Sequence, residues 1–318
     1  MMPDISIILV NYNEREYLQR TLRALQTEFP SGQAQIVVVD NQSTDGSYEM
    51  VVQDFPEATA LRPEQNLFYG KGNNFGAARA TSDWLLILNP DVAWEPGALR
   101  QMLAWAKTKP GVSIVAPRLQ YPDGRTQISA HRRFPNLATV FIDYCLPVQQ
   151  LLMRTGRHPY QLSPVEHQQT KRIAHATGAC LLFRREVWRQ VGGFDPKFSL
   201  YLEETDWQMR ATDIGFTVWL YAESVMTHFG SAQKTFAQAS RHYLWGLRLY
   251  AVKHWSVAPR LMLVPVVWLA TMLSFLALGV AALPSYALGT AGQRLRHYLH
   301  TYSFLIGALI VWPQHSPE

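Results

Sequence analysis

Cysteine is nearly absent from this chain: Cys145 and Cys180 are the only two in 318 residues. Two cysteines build neither a disulfide framework nor a cysteine-rich metal site, so a reducing compartment and two buried filler side chains are expected. Also missing is the basic, apolar, small-residue order of a secretory signal peptide. The N-terminus runs almost directly into ISIILV, and the chain is expected to stay in the cytoplasm. Charged residues make up only 17% of the composition, with a formal balance of +5. Such a balance suits an anionic partner, whether a phospholipid surface or a nucleotide diphosphate. There is no basic stripe with interleaved aromatics, no helix-turn-helix signal and no zinc ligand set, so nucleic acid is not an expected partner. Repeats and low-complexity tracts are lacking too, and 48% hydrophobic with 12% aromatic residues argues against disorder.

What is there alternates. Ile5 to Val10 is a β-branched strand run, followed by the polar turn NYN and a helical spacing of apolar residues from Glu16 to Leu25. Ile36 to Val39 repeats the strand, ends on Asp40 and the turn NQSTDGS, and leads into a helix over Ser47 to Gln53. A third strand, Trp84 to Leu88, stops at NPDV, and Pro96 marks the start of a helix running to Ala106. Ser113 to Ala116 and Cys180 to Phe183 read as further strands. Alternating strands and helices imply an α/β fold with a mostly parallel sheet covered on both faces. Ligands in such sheets bind beyond the carboxyl ends of the strands, where both Asp40 and Asp91 fall. Gly70, Gly72 and Gly76 are spaced GxGxxxG and follow no clear strand, which counts against a nicotinamide cofactor.

The ordered set ILVNYN, VVVDNQSTDGS, NLFYGKGNNFGAARA, LLILNPDV, TGACLLFRREVWRQVGGFDPKF, LYLEETDWQMR and VMTHFGS covers roughly residues 5 to 230. It resembles glycosyltransferase family 2, more narrowly its rhamnosyltransferase-like bacterial branch. The resemblance implies the GT-A nucleotide-diphospho-sugar transferase fold, a mixed, mostly parallel sheet flanked by helices. It also implies a divalent cation, Mn²⁺ or Mg²⁺, and inversion at the anomeric carbon. The function expected on that basis is transfer of a sugar, rhamnose first, from a dTDP- or UDP-sugar. The acceptor would be a glycan or a polyprenyl-linked glycan in surface polysaccharide synthesis.

By the same resemblance Asp40 accepts a hydrogen bond from the uracil or thymine ring and Tyr12 lies against the base; alone, Asp40 reads as a turn or capping acid. Asn13, Asn66, Gly72, Asn73, Asn74 and Asn89 match segments that flank the donor. Asn89-Pro90-Asp91 stands where the family has its DxD variant, so Asp91 is the expected metal ligand, joined by His228; an isolated histidine is otherwise structural. Carboxylate oxygen and phosphate suit such a hard cation. Glu203-Glu204-Thr205-Asp206 matches the ED motif, making Glu204 the general base, with Glu203 or Asp206 sharing the task. The plainer reading is an acidic first helical turn. Gly193, Phe194 and Asp195, in the GGFD loop, and Trp207 are expected at the acceptor. Arg132 and Arg133 of HRRFP read as a solvated basic loop, or as a counter-charge to the diphosphate.

The expected organisation is a catalytic domain over 1–240, its donor half about 1–115 and its acceptor half about 116–240. A helical region over 241–318 follows. Leu261 to Leu283 carries no charge and is long enough to span a membrane as a helix. A second apolar run, Phe304 to Trp312, is too short to cross. A span, an anchor in one leaflet and a homo-oligomer interface all remain open for this extension. Nucleotide sugars are cytosolic, and basic residues lead into the apolar run, so the catalytic domain is expected at the cytoplasmic face of the bacterial plasma membrane. The rival function is a non-catalytic nucleotide-sugar-binding or membrane scaffold protein.

Overall fold

A computed structural model describes residues 3–30, 32–155, 158–230 and 236–287. The apolar run Phe304 to Trp312 lies outside them. Two compact units emerge, one formed by Met1–Phe134 with Gln161–Ala232, the other by Pro135–Tyr160 with Gln233–Glu318. The internal segment Pro135–Tyr160 groups with the C-terminal helices.

The first unit opens with β1 (Ile5–Asn11), α1 (Arg15–Glu28), β2 (Ala34–Asp40), α2 (Ser47–Asp54) and β3 (Thr59–Leu61). It continues with α3 (Phe68–Ala77), β4 (Trp84–Leu88), β5 (Val92–Trp94), α4 (Ala98–Lys107), β6 (Ile114–Gln120) and β7 (His131–Arg132). The second unit contributes α5 (Leu137–Tyr144) and α6 (Leu146–Thr155). The chain then returns through β8 (Lys171–Ile173), β9 (His175–Ala176), β10 (Cys180–Arg184), α7 (Arg185–Val191), α8 (Glu203–Asp213) and β11 (Val218–His228). Helices α9 (Phe236–His254) and α10 (Val257–Ala287) complete the second unit.

The central sheet has the order β3-β2-β1-β4-β10-β6-β11-β5, with β8 beside β11. Strands β3, β2, β1 and β4 pair in parallel, as do β6 and β11. β10 runs antiparallel between β4 and β6, and that single reversal leaves β6 and β11 pointing the same way as β1. Asn11, Asp40, Leu88, Gln120 and His228 therefore end their strands at one rim. The first strands are buried almost throughout, as β-branched runs covered on both faces should be.

Two local departures from the expected elements have physical causes. Helix α4 starts at Ala98, two residues after Pro96, because the buried Glu28 carboxylate accepts from Gly97 N at 2.6 Å and Arg100 N at 2.9 Å. This is a cap supplied by another helix. The glycine-rich stretch forms α3 despite a helix cost of about 1 kcal/mol per glycine. Close packing offsets it: a Cβ on Gly76 would lie 2.6 Å from Ile8, and one on Gly72 would lie 3.0 Å from Val10.

Candidate active site

On the β2 side of the rim, Asp40 is buried and its carboxylate is held from several directions. One oxygen accepts from Asn11 Nδ2 at 3.2 Å, the other from Ser43 N at 3.0 Å, and Arg62 Nε lies 3.6 Å away. Asn11 and Asp40 are register partners on β1 and β2, which is why two strand-end residues meet. Asn13 adopts φ 55° and accepts from Thr44 N at 2.7 Å, bracing the NYN turn on the NQSTDGS loop. Tyr12, carried by that braced turn, is 45% exposed. Asn66 accepts from Phe68 N at 2.7 Å and shapes the entry to α3.

The next rim position is the turn after β4. Asn89 N donates to Ala179 O at 2.9 Å and Thr21 Oγ1 to Pro90 O at 2.6 Å, which fixes the turn and so the direction of Asp91. Asp91 Oδ1 is 3.5 Å from His228 Nε2 at the end of β11. Phe229 N donates to Asp91 O at 3.0 Å, tying the two chain segments together. On the far side of the imidazole, Nδ1 is 3.1 Å from Gln127 Oε1. An amide oxygen only accepts, so this contact sets a ring proton on Nδ1 and turns Nε2 toward Asp91. Carboxylate and imidazole side by side suit a divalent cation that draws further oxygens from a diphosphate. Among the described residues no group of three or more His, Cys, Asp or Glu side chains forms a complete site.

The acids at the start of α8 are sorted by burial. Glu203 is buried, its Cγ against Gly70 of α3. Asp206 is fully buried and binds Arg210 Nε at 2.9 Å; the same guanidinium donates to Val191 O at 2.7 Å and Gly193 O at 2.8 Å. Both side chains therefore sit inside the fold. Glu204 keeps partial exposure. Desolvation raises its carboxyl pKa, and the positive charge of Arg132 works in the opposite direction. Ahead of it, Tyr201 and Leu202 both take φ 68°, a left-handed pair of non-glycine residues that costs about 1–3 kcal/mol per residue.

Trp207 is fully buried, its indole N–H donates to Gly192 O at 2.8 Å, and its rings pack on Phe183, Trp188 and Phe194. Phe194 belongs to the same aromatic cluster and stacks on Tyr69. Asn73 is likewise inside, donating to Tyr69 O at 3.0 Å, and Gly72 faces Val10. Asn74 holds the loop: it donates to Phe194 O at 2.8 Å and accepts from Phe194 N at 2.9 Å. Gly193 has to be glycine beneath this clamp, because a Cβ there would lie 2.4 Å from Asn74 Oδ1. Asp195 caps the loop's end by accepting from Lys197 N at 3.0 Å.

Comparison with known proteins agrees with this geometry. A sequence model described as "Glycosyl transferase family 2" matches residues 6–192. The chain belongs to glycosyltransferase family 2. This glycosyltransferase is 30% identical over 240 residues to the N-acetylglucosaminyl-diphospho-decaprenol L-rhamnosyltransferase of Mycobacterium tuberculosis, covering 70% of this chain and 76% of that one. It is 26% identical over 215 residues to the low-salt glycan biosynthesis hexosyltransferase Agl10 of Haloferax volcanii, covering 66% and 62%. Among solved structures it shares its fold with the mannosyltransferase PcManGT of Pyrobaculum calidifontis, determined in complex with GDP-Man and Mn²⁺. That match has a TM-score of 0.60 at 17% identity and covers 98% of this chain and 87% of the other. GalNAc-T7 with UDP, GalNAc and Mn²⁺ matches with a TM-score of 0.53 at 15% identity, over 79% and 50%. These likenesses confirm the GT-A fold for this glycosyltransferase.

In this family 2 glycosyltransferase three residues take parts that no local pattern in the sequence signals. Gln127 lies in a loop-rich stretch with no motif around it, and only the fold brings it to His228. Arg132 reads in the sequence as a solvated loop residue or a counter-charge to the diphosphate; in the fold β7 pairs with β9, and Gln208 of α8 exchanges hydrogen bonds with Ala176 of β9 at 2.9 and 2.7 Å. That lattice sets the guanidinium's charge against Glu204. Asn74 sat beside the donor glycines in sequence, and nothing local indicated its clamp on a loop 120 residues away.

Proposed function

We propose that this glycosyltransferase is an inverting, divalent-cation-dependent enzyme that moves a sugar, rhamnose first, from a dTDP- or UDP-linked donor to a polyprenyl-linked glycan at the cytoplasmic face of a membrane. The observation that carries the reading is the paired Asp91 and His228, 3.5 Å apart at the rim that also holds Asp40. The activity that names the mycobacterial relative, transfer of L-rhamnose to N-acetylglucosaminyl-diphospho-decaprenol, supports the sugar and the lipid-linked acceptor. Mn²⁺ in the structures of two fold neighbours supports the cation.

In this mechanism Asp40 receives the imino N–H of the pyrimidine and Tyr12 covers the ring. Asp91 and His228 would hold the cation, which would supply charge neutralisation for the departing nucleoside diphosphate. Glu204 takes the proton from the acceptor hydroxyl as its oxygen bonds to the anomeric carbon and the bond to the diphosphate breaks, so one displacement inverts the centre. Asn74, Arg210 and Gly193 fix the loop beneath the acceptor.

A thermal-shift comparison with dTDP, UDP, GDP and NAD⁺, each with and without Mn²⁺, tests the donor site. Stabilisation by dTDP or UDP that increases with the metal is expected. Folded protein that responds to no nucleotide diphosphate would favour the scaffold alternative. Gln127→Leu provides a separate check on the cation. Loss of the partner that holds the His228 tautomer is expected to weaken Mn²⁺ binding about 10–100-fold, read by titration of free Mn²⁺ in electron paramagnetic resonance, with the circular dichroism unchanged.

A further inference from the structure

Helix α10 contains a 21-residue window, Val257–Ala277, whose length and apolar composition suffice to cross a membrane. Its two sides have different fates. Leu263, Val267, Ala270, Thr271 and Ser274 recur at helical spacing and are buried, on the side where α10 packs along α5 and α6. Ser274 Oγ donates to Tyr144 O at 2.8 Å and accepts from Leu146 N at 2.9 Å. One hydroxyl thus satisfies a carbonyl at the end of α5 and an amide at the start of α6, pinning α10 to the corner between them. The opposite side carries Leu261, Trp268, Leu269, Met272, Leu273 and Leu276, all exposed, with Leu261 and Leu276 at 68% and 67%. A continuous open apolar face of this kind marks an interaction surface.

Charge identifies the partner. Among the residues of this unit with described side chains, Arg154, Arg241, Arg248, Lys253 and Arg260 stand against Asp143 as the one acid. Apolar face and basic surroundings together match an anionic lipid surface.

The pin at Ser274 also decides the orientation. Ser274 lies 14 residues past Arg260, about 21 Å along a helix at ~1.5 Å per residue. Were α10 to cross the bilayer upright, Tyr144 and Leu146 would travel to that depth with it. Asp143, the neighbour of Tyr144, would go with them into hydrocarbon, where a charged side chain is costly.

We propose that α10 lies along the near leaflet of an anionic bilayer, its open face among the acyl chains and its pinned face carrying α5 and α6, and does not cross. The proposal extends the membrane-proximal acceptor reading but rests on none of the donor or catalytic residues. Its test is the insertion depth of α10 in the full chain. Leu261→Cys, Leu269→Cys and Leu276→Cys are labelled singly with an environment-sensitive fluorophore; the native Cys145 and Cys180 are buried. Each labelled protein is mixed with vesicles of phosphatidylethanolamine and phosphatidylglycerol bearing quenchers at shallow or deep acyl positions. Equal, shallow depth at all three positions is expected, with vesicle affinity falling at least about tenfold between ~0.1 M and ~0.5 M salt. Depth increasing from residue 261 to 276 would overturn the proposal in favour of a span. Folded protein with no quenching at any position, accompanied by dimers in light scattering, would assign the face to a second copy of the chain. Neither contrary result touches the transferase assignment, because nucleotide binding and transfer are measured separately.

Discussion

Glu204→Gln is expected to lower sugar transfer by about 10²–10⁴-fold while donor binding and the melting temperature stay near those of the parent. The amide keeps the shape of the side chain and cannot accept the proton. The pH profile separates this role from a structural one. Desolvation holds the Glu204 carboxyl above the usual glutamate range, so the parent's rate falls on acidification at a pH higher than an ordinary glutamate would give. Arg132 opposes that shift by favouring the charged carboxylate. Arg132→Gln should therefore move the acid limb to still higher pH, and Glu204→Gln should remove the limb from whatever activity remains. Full activity in Glu204→Gln would return the base role to another group. Glu203 and Asp206 are poor substitutes, the first packed under α3 and the second bound by Arg210.

Asp91→Ala should be as damaging for a different reason. Electrostatic stabilisation of a leaving diphosphate by a cation amounts to several kcal/mol, so its loss costs on the order of 10³-fold or more in rate. The expected signature is selective: the nucleotide diphosphate no longer gains stabilisation from Mn²⁺ in a melting assay, while binding of the base through Asp40 persists. Asp91→Asn, which keeps size and loses charge, should fall the same way. Because the Asp91 backbone oxygen, not its side chain, accepts from Phe229 N, the turn itself survives either change. A variant that turns over normally would exclude Asp91 as the metal ligand.

The rim was legible in the sequence wherever a buried β-branched run ended abruptly in a polar turn. Asp40 and Asp91 both follow such runs, and a parallel sheet sends such ends to one side. Helix α1 could be read from Leu18, Leu22 and Leu25 at helical spacing. Whatever depended on contact between distant segments could not be read. Trp207 stands within an acidic motif, yet its large apolar ring is drawn into the Phe183, Trp188 and Phe194 cluster, and no spacing along the chain reveals that pull. Helix α3 goes against glycine's poor helix propensity because Ile8, Val10 and Val39 leave room for nothing larger. The α5–α6 segment joins the C-terminal helices through Ser274, some 130 residues on, a distance over which local pattern carries no information.

The left-handed pair Tyr201 and Leu202 has a consequence for anyone seeking a tougher enzyme. Glycine occupies that region of the backbone freely, so the obvious repair is a glycine at either position. At Leu202 the repair fails: the side chain is buried, and removing it costs about 2–5 kcal/mol against the ~1–3 kcal/mol of strain relieved. The strained turn that presents α8 is thus held by its own apolar anchor, and a search for heat resistance would leave Leu202 as it is.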